Sequence, residues 1–382
     1  MEPSESEPDR DGNPPWYTFF PHGGMNPAGV PDRLLRHPEL QQRGIVPYGA
    51  MKPGVVFCTR DLSDNTPRDP IQVIKILDTN GEELPIYEHL LREIDLPNNH
   101  TVPSEITSAG HPLLIMPFIG YLRHMHGLDW SPRKLVDFLF QFVEGLEYLH
   151  SLHIVHMDIC PQNVLAGLPR NVEVHKSIVA HRVYIIDFDI SRRFKLGPGV
   201  QPAITLPDTQ ISPPNGLRHF DPYSWDVYCM ALTMESVIQS YDDQTVYRDE
   251  KVQPYWPAQK FVQWLIGNER GCTGVCRCRP TARTALRVLV ILRWAAYAAE
   301  GYRWMAQALS HLWDVTCKYY NVRGSQSVAP FAIGIVAVTD MTCLGFDSAC
   351  SIPSNARLVY SAGLETAASI AAQGFCEHCT PR

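Results

Sequence analysis

The sequence predicts a mixed α+β fold, and the main observation behind this prediction is one long helix followed by short strands. The segment 131–150, SPRKLVDFLFQFVEGLEYLH, opens with Ser131 as an N-cap and Pro132 at the first helical position. Its apolar residues recur at helical spacing, at Leu135, Phe138, Leu139, Phe142, Leu146 and Leu149. Apolar runs then predict a strand beginning at Ile154 and a hairpin with strands at 163–165 and 183–186.

A polar loop between these strands carries the residues that indicate chemistry. His156, Asp158 and Asn163 stand in an H-x-D-x-x-x-x-N arrangement, and Asp187 follows the second strand of the predicted hairpin. This set offers one carboxylate to a hydroxyl, and an amide with a second carboxylate to a metal, as phosphoryl transfer requires. A single Asp or Asn in a loop is usually a solvated turn residue, but the combination favours a phosphate and metal site.

The segments HIVHMDICPQNVL at 153–165 and YIIDFDIS at 184–191 resemble the eukaryotic protein kinase superfamily, in a diverged form of the kind seen in fungi. The resemblance implies a bilobal protein kinase-like α+β fold, with a small β-rich N-lobe and a larger helical C-lobe. It assigns the N-lobe to 45–119 and the C-lobe to 120–300. A disordered or irregular leader is expected at 1–44, and an extension that matches no known pattern at 301–382.

The resemblance also assigns roles to the residues that match the family's motifs. Lys75, in the strand-like run 73–77, would contact the α- and β-phosphates of ATP, and Asp158 would act as the catalytic base. Asn163 and Asp187 would hold Mg²⁺. ATP and Mg²⁺ are therefore the implied cofactors, and a protein is the implied substrate.

Further matches lie on both sides of this loop. The run 114–119 looks like the family's hinge, in which Met116 would be the gatekeeper and Phe118 would help to bind the nucleotide. Asp226, in an apolar segment that resembles the family's central helix, would brace the backbone of the catalytic loop. Arg279 resembles the arginine in the turn near the end of the domain.

The glutamate that pairs with Lys75 has two candidates. Glu83 shares a helical stripe with Tyr87, and this pattern favours it. However, Pro85 indicates that the helix is only beginning there, so reach favours Glu88, about a turn further on. Both remain open, and a solvated helix face is the competing interpretation for each.

The chain departs from the family's pattern at several positions. Met157 replaces the arginine that would bind a phosphorylated activation loop, and Cys160 replaces a lysine near the γ-phosphate, which weakens transition-state stabilisation. Asp189 replaces the glycine of D-F-G, where it could serve as an extra metal ligand. Residues 213–215 read Pro-Pro-Asn in place of A-P-E, so the family's buried ion pair to the arginine of the C-terminal turn would be missing.

The glycine-rich loop is the weakest match. Upstream of Lys75, only Gly49 and Gly54 in PYGAMKPGVVF are candidates, and they lack the G-x-G-x-x-G spacing by which backbone amides close over phosphates. An ordinary turn before a strand is the competing interpretation.

Three functions follow from these motifs. The favoured one is an ATP-dependent protein kinase of the serine/threonine type, which transfers the γ-phosphate to a protein hydroxyl. The alternative is a pseudokinase that acts as a binding or scaffolding module, because the glycine loop and the lysine at position 160 are missing. The third is a small-molecule phosphotransferase of the aminoglycoside or choline kinase type, which shares the loop motif.

Composition favours an intracellular globular protein of the cytoplasm or nucleus. A net charge of −7 gives no general attraction to nucleic acid or to anionic membranes. No apolar run predicts a signal peptide or a transmembrane helix. The eleven cysteines indicate reduced thiols. A split zinc site is the less favoured interpretation for Cys272, Cys276, Cys278, Cys376 and Cys379.

Two segments lie outside the family's pattern. The stretch 167–181 lengthens the predicted hairpin as a polar insertion. Beyond position 300, a helical pattern that would cap the C-lobe is formed by Trp304, Leu309, Leu312 and Trp313.

Overall fold

The computed structural model describes residues 15–60, 70–121, 131–214, 219–246, 256–267 and 279–323. These residues fall into two compact units, of which the second contains 131–137 and 287–323 and the first contains the others. The first unit has a β-rich N-terminal part followed by a mainly helical part. The predicted α+β class is therefore confirmed.

Fourteen strands and eight helices are found in the described residues. The strands are β1 (Thr18–Phe19), β2 (Met25–Asn26), β3 (Gly49–Lys52), β4 (Val56–Cys58), β5 (Gln72–Ile76), β6 (Glu105–Ile106), β7 (Leu113–Pro117), β8 (Gly120–Tyr121), β9 (Ile154–Val155), β10 (Val164–Ala166), β11 (Val183–Ile185), β12 (Arg192–Arg193), β13 (Ile204–Thr205) and β14 (His219–Phe220). The helices are α1 (Asp32–Leu35), α2 (Pro38–Arg43), α3 (Glu83–Arg92), α4 (Pro132–Ser151), α5 (Pro169–Val174), α6 (Pro222–Val246), α7 (Trp256–Ile266) and α8 (Ala282–Arg323).

The N-terminal part is built on a five-stranded antiparallel sheet in the order β3-β4-β5-β7-β6. Phe57, Ile74 and Ile115 lie opposite one another on neighbouring strands, so they share one face, and that face is buried in an apolar cluster. Lys75, the residue after Ile74 on β5, pairs with Val56 on β4. Because successive side chains alternate between faces, these two residues lie on the opposite face, where the candidate site forms.

The N-terminal segment from residue 15, within the range 1–44 for which a disordered or irregular leader was predicted, has short regular elements and contributes to this core. Helices α1 and α2 bury Leu34 and Leu40 against the apolar face of the sheet. Ala50 N–H of β3 also donates to Ala28 O at 3.2 Å. The two helices have only four and six residues, too few for a helical periodicity to be visible in the sequence. Residues 1–14 lie outside the described residues.

Helix α4 and the hairpin that follows it form where the sequence predicts them. Ser131 directly precedes α4, and its Oγ accepts a hydrogen bond from Lys134 N–H at 3.3 Å. Strands β10 and β11 pair with Val164 opposite Ile185. The insertion between them contains the helix α5, which the sequence pattern did not predict.

Helix α6 holds the loop that follows β9. Trp225 and Asp226 are fully buried near its start. Trp225 Nε1 donates to Met157 O at 2.9 Å. The carboxylate of Asp226 accepts hydrogen bonds from the N–H groups of His156 at 2.8 Å and Met157 at 2.7 Å. The backbone of this loop is thus fixed to the helix by three buried hydrogen bonds.

Arg279 is buried at the C-terminal end of α7. Its guanidinium donates to Leu265 O at 2.9 Å, to Ile266 O at 2.8 Å and to Ser224 Oγ at 2.9 Å. Carbonyl groups at a helix C-terminus favour a cation because they carry partial negative charge. Arg279 therefore stabilises the end of α7 through carbonyl groups. Asn215, which stands at the position of the glutamate of A-P-E, lies outside the described residues.

The second unit consists of the start of α4 and the part of α8 after position 286. Arg293 Nε donates to Asp137 Oδ1 at 2.7 Å, and Tyr297 OH donates to the same carboxylate. Arg133 lies over the ring of Tyr297, 4.0 Å from its centroid. These contacts join the two helical segments within the unit.

Most of the large apolar residues of α8 between positions 301 and 316 are exposed. The helix runs without interruption through position 300. Of the four residues in the helical pattern, Trp304, Leu309 and Leu312 are exposed and Trp313 is partly buried. In the part of the chain that the structure describes, no helix combines the length and the apolarity needed to cross a membrane.

We expect Asp226→Ala to lower the free energy of unfolding by about 3–5 kcal/mol, because it leaves two buried N–H groups without their acceptor. Urea denaturation of the purified protein measures this change. Asp32→Ala is the matched control, since Asp32 is exposed and its ion pair with Arg36 contributes about 0–1 kcal/mol. Equal midpoints for the two variants would contradict the bracing role of Asp226.

Candidate active site

A buried lysine forms the centre of the candidate site. The ammonium of Lys75, on β5, contacts both the carboxylate of Glu83, at the start of α3, and that of Asp187, just after β11. The side chains of Lys75 and Glu83 are 4% and 1% exposed, whereas that of Asp187 is 26% exposed. Lys75 therefore links three separate elements of the fold at the edge of an opening to solvent.

The charges of this cluster depend on one another. Burial opposes the charge of Lys75, but the acidic groups around it raise its pKa above the usual value. Burial also raises the pKa of Glu83, to about 6, although Lys75 opposes this shift. Burial raises the pKa of Asp187 too, but the charge of Lys75 outweighs it and leaves this pKa below the usual value. Lys75 and Asp187 are therefore charged at neutral pH.

Of the two candidate partners, Glu83 is the one that contacts Lys75. Glu88 is exposed and lies with Arg43 and Arg92 in an open surface depression on the other side of α3. Glu83 is within reach because α3 already begins at this residue. Pro85 lies in the first turn of the helix, where a missing N–H removes no helical hydrogen bond.

Phe188 connects the lysine cluster to the loop that carries Asp158. Its ring is fully buried between Tyr87 of α3, with ring centroids 5.1 Å apart, and His156, at 5.0 Å. Asp187 adopts a left-handed backbone conformation with φ of 67°, and its N–H donates to Tyr87 OH at 3.2 Å. Packing on both sides of Phe188 thereby sets the direction of the neighbouring Asp187 carboxylate.

Met157 also has a left-handed backbone, with φ of 65°. This conformation is unfavourable for a residue other than glycine, so surrounding contacts have to hold it. Met157 is fully buried, its N–H donates to the Asp226 carboxylate, and its carbonyl oxygen accepts a hydrogen bond from Trp225 Nε1. The preceding His156 N–H also donates to Asp226. The strained residue directly precedes Asp158 and determines how that carboxylate is presented.

Both carboxylate oxygens of Asp158 accept hydrogen bonds. Asn163 Nδ2 donates to Oδ2 at 3.1 Å. Gln210 donates from its backbone N–H to Oδ1 at 2.8 Å and from its side chain to Oδ2 at 2.9 Å. Gln210 was not predicted as a site residue, and no sequence signal indicates it, because the contact joins positions 52 apart through the path of an irregular loop.

Asn163 and Asp187 lie next to each other because Ile186 N–H donates to Asn163 O at 3.0 Å, which continues the β10–β11 pairing. Amide and carboxylate oxygens are ligands that Mg²⁺ accepts, and this ion usually takes one or two protein ligands together with water and substrate phosphates. The ionised, partly exposed Asp187 beside Asn163 fits this requirement. Among the described residues, no cluster of three or more His, Cys, Asp or Glu side chains forms a closed metal site.

The two predicted hinge residues differ in their surroundings. Met116, on β7, is buried and pairs with Val73, which shares a sheet face with Lys75. Phe118 follows β7, and its N–H donates to Ile71 O at 2.9 Å. The backbone N–H of Phe118 is thus already used within the protein, whereas Met116 lies on the face that carries the candidate site.

Two of the unusual residues are also placed by the structure. Cys160 is buried, and burial raises the pKa of its thiol to about 11, so that it is neutral at neutral pH. Asp189 is exposed. Neither residue supplies a positive charge near Asp158. The cysteines considered for a zinc site, at 272–278 and 376–379, lie outside the described residues.

Residues 68–239 match the family model described as the protein kinase domain. This region includes Lys75, Glu83, Asp158, Asn163 and Asp187.

Curated relatives match shorter segments. The chain is 42% identical over 67 residues to serine/threonine-protein kinase/endoribonuclease ireA of Aspergillus fumigatus, which covers 18% of this chain and 5% of that protein. It is 34% identical over 85 residues to mitogen-activated protein kinase 13 of Mus musculus, covering 22% and 23%. It is 38% identical over 72 residues to myosin light chain kinase 3 of Rattus norvegicus, covering 19% and 7%. The chain thus spans less than a quarter of the length of each of these relatives.

We expect the stabilisation of the protein by ATP and Mg²⁺ to weaken as the pH falls through about 6. Protonation of Glu83 below its pKa of about 6 removes the negative charge that positions Lys75. Glu83→Gln should weaken ATP binding by about tenfold at pH 7.5, equivalent to one charge-assisted hydrogen bond, and should reduce this dependence on pH. The measurement is the ATP-dependent shift of the thermal midpoint between pH 5 and 8.

Glu88→Gln is the control, because Glu88 is exposed. This substitution should leave the affinity for ATP and its dependence on pH the same as in the unmodified protein. Its comparison with Glu83→Gln also removes the contribution of the ATP phosphates, which titrate in the same range. If Glu88→Gln rather than Glu83→Gln weakened binding, the assignment of the lysine partner would be wrong.

Proposed function

Because residues 68–239 form a domain of the protein kinase superfamily, we propose that this chain transfers the γ-phosphate of ATP to a serine or threonine hydroxyl of a protein substrate. The observation that carries the proposal is the assembled cluster in which Lys75 contacts both Glu83 and Asp187. Bringing three charges together at a largely buried position is unfavourable, and such clusters are typical of functional sites.

In this proposal, Lys75 binds the α- and β-phosphates. Its contact with Glu83 holds the ammonium at the mouth of the site, and its raised pKa keeps the charge on it at neutral pH. A fixed cation of this kind stabilises phosphate charge without the rearrangement that water requires. Met116 lies on the same face of the sheet and would line the pocket for the base.

Asn163 and Asp187 would hold Mg²⁺, which when bound neutralises phosphate charge and orients the transferred group. The hydrogen bonds that Asn163 Nδ2 donates to the side chain and to the carbonyl of Asp158 fix the amide. Tyr87 and Phe188 fix the orientation of Asp187 in the same way. The two ligands are therefore preorganised by neighbours on both sides.

Asp158 would orient the attacking hydroxyl and accept its proton. In the present structure its two oxygens are covered by Gln210, so a substrate hydroxyl has to displace the Gln210 side chain first. This hydrogen bond is at the surface, where water competes with it, so breaking it costs little free energy. We accordingly propose that the present structure represents a state before substrate binding.

A nucleotide-binding module without turnover is the second candidate. Neutral Cys160 in place of a lysine and the covering of Asp158 by Gln210 favour it. The two functions differ in what Asp158 contributes, because a binding module needs Asp187 for metal-dependent nucleotide binding but has no use for a base.

The first test compares the thermal midpoint of the protein with ATP alone and with ATP plus Mg²⁺, for the unmodified chain and for Asp187→Asn. Saturation at about 100 times the Kd adds roughly 2.7 kcal/mol, which corresponds to a shift of several degrees. We expect a Mg²⁺-dependent shift that Asp187→Asn removes. Transfer of labelled γ-phosphate to a general protein substrate should then fall at least about 100-fold in Asp158→Asn, which keeps the shift.

Absence of a shift in every condition would reject the kinase and the nucleotide-binding module together. A Mg²⁺-dependent shift with phosphate transfer that does not depend on Asp158 would reject the role of this carboxylate.

We expect Gln210→Ala to raise the rate of phosphate transfer about two- to tenfold, because it removes one hydrogen bond that competes with the substrate hydroxyl. Steady-state kinetics at saturating ATP measures the effect. Gln201→Ala is the control from the same loop region, since Gln201 makes a local contact with Pro202 O. A lower rate in Gln210→Ala would mean that Gln210 positions Asp158 rather than covering it.

A further inference from the structure

The turn between β3 and β4 differs from a glycine-rich loop in the backbone groups that it presents. Val55 N–H donates to Lys52 O at 3.0 Å, with Pro53 and Gly54 at the two central positions and φ of Gly54 at 75°. These are the features of a type II β-turn. Pro53 has no N–H, and that of Val55 is used inside the turn, so this tip has few amides to offer to phosphates.

A β-bulge determines which way Lys52 faces. Ala50 pairs with Phe57 on β4, and the next pair joins Lys52 to Val56, so Met51 is an extra residue in β3. In a regular strand without a bulge, Met51 would pair with Val56, and Lys52 would lie on the same face as Ala50 and Phe57, which is the apolar core. The bulge instead turns Lys52 to the opposite face, an effect common near active sites.

On that face Lys52 is aligned with the catalytic lysine. Val56 pairs with Lys52 on one side and with Lys75 on the other, so the three residues form one row across the sheet. Directly opposed residues in a sheet have side chains on the same face. The ammonium of Lys52 is exposed at the end of a flexible four-carbon chain, which allows it to move toward a ligand in front of Lys75.

We propose that Lys52 is a second phosphate-binding cation and that it contacts the terminal phosphate of ATP from the β3 side of the site. This inference rests on the proposed function, because it concerns the nucleotide of the same site. The side chain of Lys52 supplies the hydrogen-bond donors and the positive charge for a phosphate that the backbone amides of this turn do not provide. Lys52 also provides a positive charge on the side of the site formed by the N-terminal sheet. On the other side, the neutral Cys160 provides none.

The consequence is a preference for the triphosphate. A lysine that contacts the terminal phosphate of ATP distinguishes ATP from ADP, whereas Lys75 contacts groups that both nucleotides carry. We expect Lys52→Gln to weaken binding of ATP with Mg²⁺ by about tenfold, equivalent to one charge-assisted hydrogen bond, and binding of ADP with Mg²⁺ by less than about twofold. Lys52→Arg should restore most of the affinity for ATP.

The experiment is a titration of the full chain with each nucleotide by isothermal calorimetry, for the unmodified protein and for Lys52→Gln, Lys52→Arg and Lys260→Gln. Lys260 is an exposed lysine of α7 and serves as the control for the loss of one positive charge. An unchanged unfolding midpoint without ligand establishes that each variant folds.

The outcomes separate this inference from the proposed function. If the unmodified protein binds ATP and Lys52→Gln binds it equally well, or loses ATP and ADP affinity to the same extent, the role of Lys52 is refuted while the kinase proposal stands. If the unmodified protein binds neither nucleotide, both are refuted. Selective loss of ATP affinity in Lys52→Gln, with recovery in Lys52→Arg, supports both.

Discussion

The architecture around the site depends on the burial of one ammonium group. A buried charge without partners is very unfavourable, and Lys75 is compensated only when Glu83 and Asp187 are both in place. Glu83 comes from a helix, Asp187 from the segment after a hairpin and Lys75 from the central strand of the sheet. The ion cluster therefore requires these three elements to adopt one relative arrangement, and loss of any of them exposes or isolates a charge.

A second anchor, of hydrogen bonds rather than ion pairs, holds the loop that carries Asp158. Asp226 satisfies two backbone N–H groups, and one of them belongs to Met157, whose left-handed conformation needs such support. Phe188 joins the two anchors, because it packs on one side against the helix that carries Glu83 and on the other against His156. The packing of Phe188 thus fixes the loop that carries Asp158 relative to the lysine cluster.

The departures from the family's pattern share a physical theme, which is the distribution of positive charge. Cys160 is buried as a neutral thiol, and the turn near Lys52 has exchanged amide donors for a proline and an internal hydrogen bond. A β-bulge pairs Lys52 with Val56 on the sheet face that carries Lys75, and we propose that this cation takes part in binding the phosphates. A site of this type can keep the charge needed for phosphate chemistry while losing the motif residues that usually supply it.

The sequence by itself determined the fold class and the superfamily, and it indicated the residues of the candidate site. Helix α4, the β10–β11 hairpin and the loop residues Asp158 and Asn163 were predictable because their patterns are local, with periodicities of a few residues. Contacts between distant segments were not. Glu83 rather than Glu88 as the partner of Lys75, the cover of Asp158 by Gln210 and the direction of Lys52 were decided by helix start, loop path and sheet register. The tertiary structure alone decides these features, since a shift of one residue moves a side chain to the other face without changing the pattern that the sequence displays.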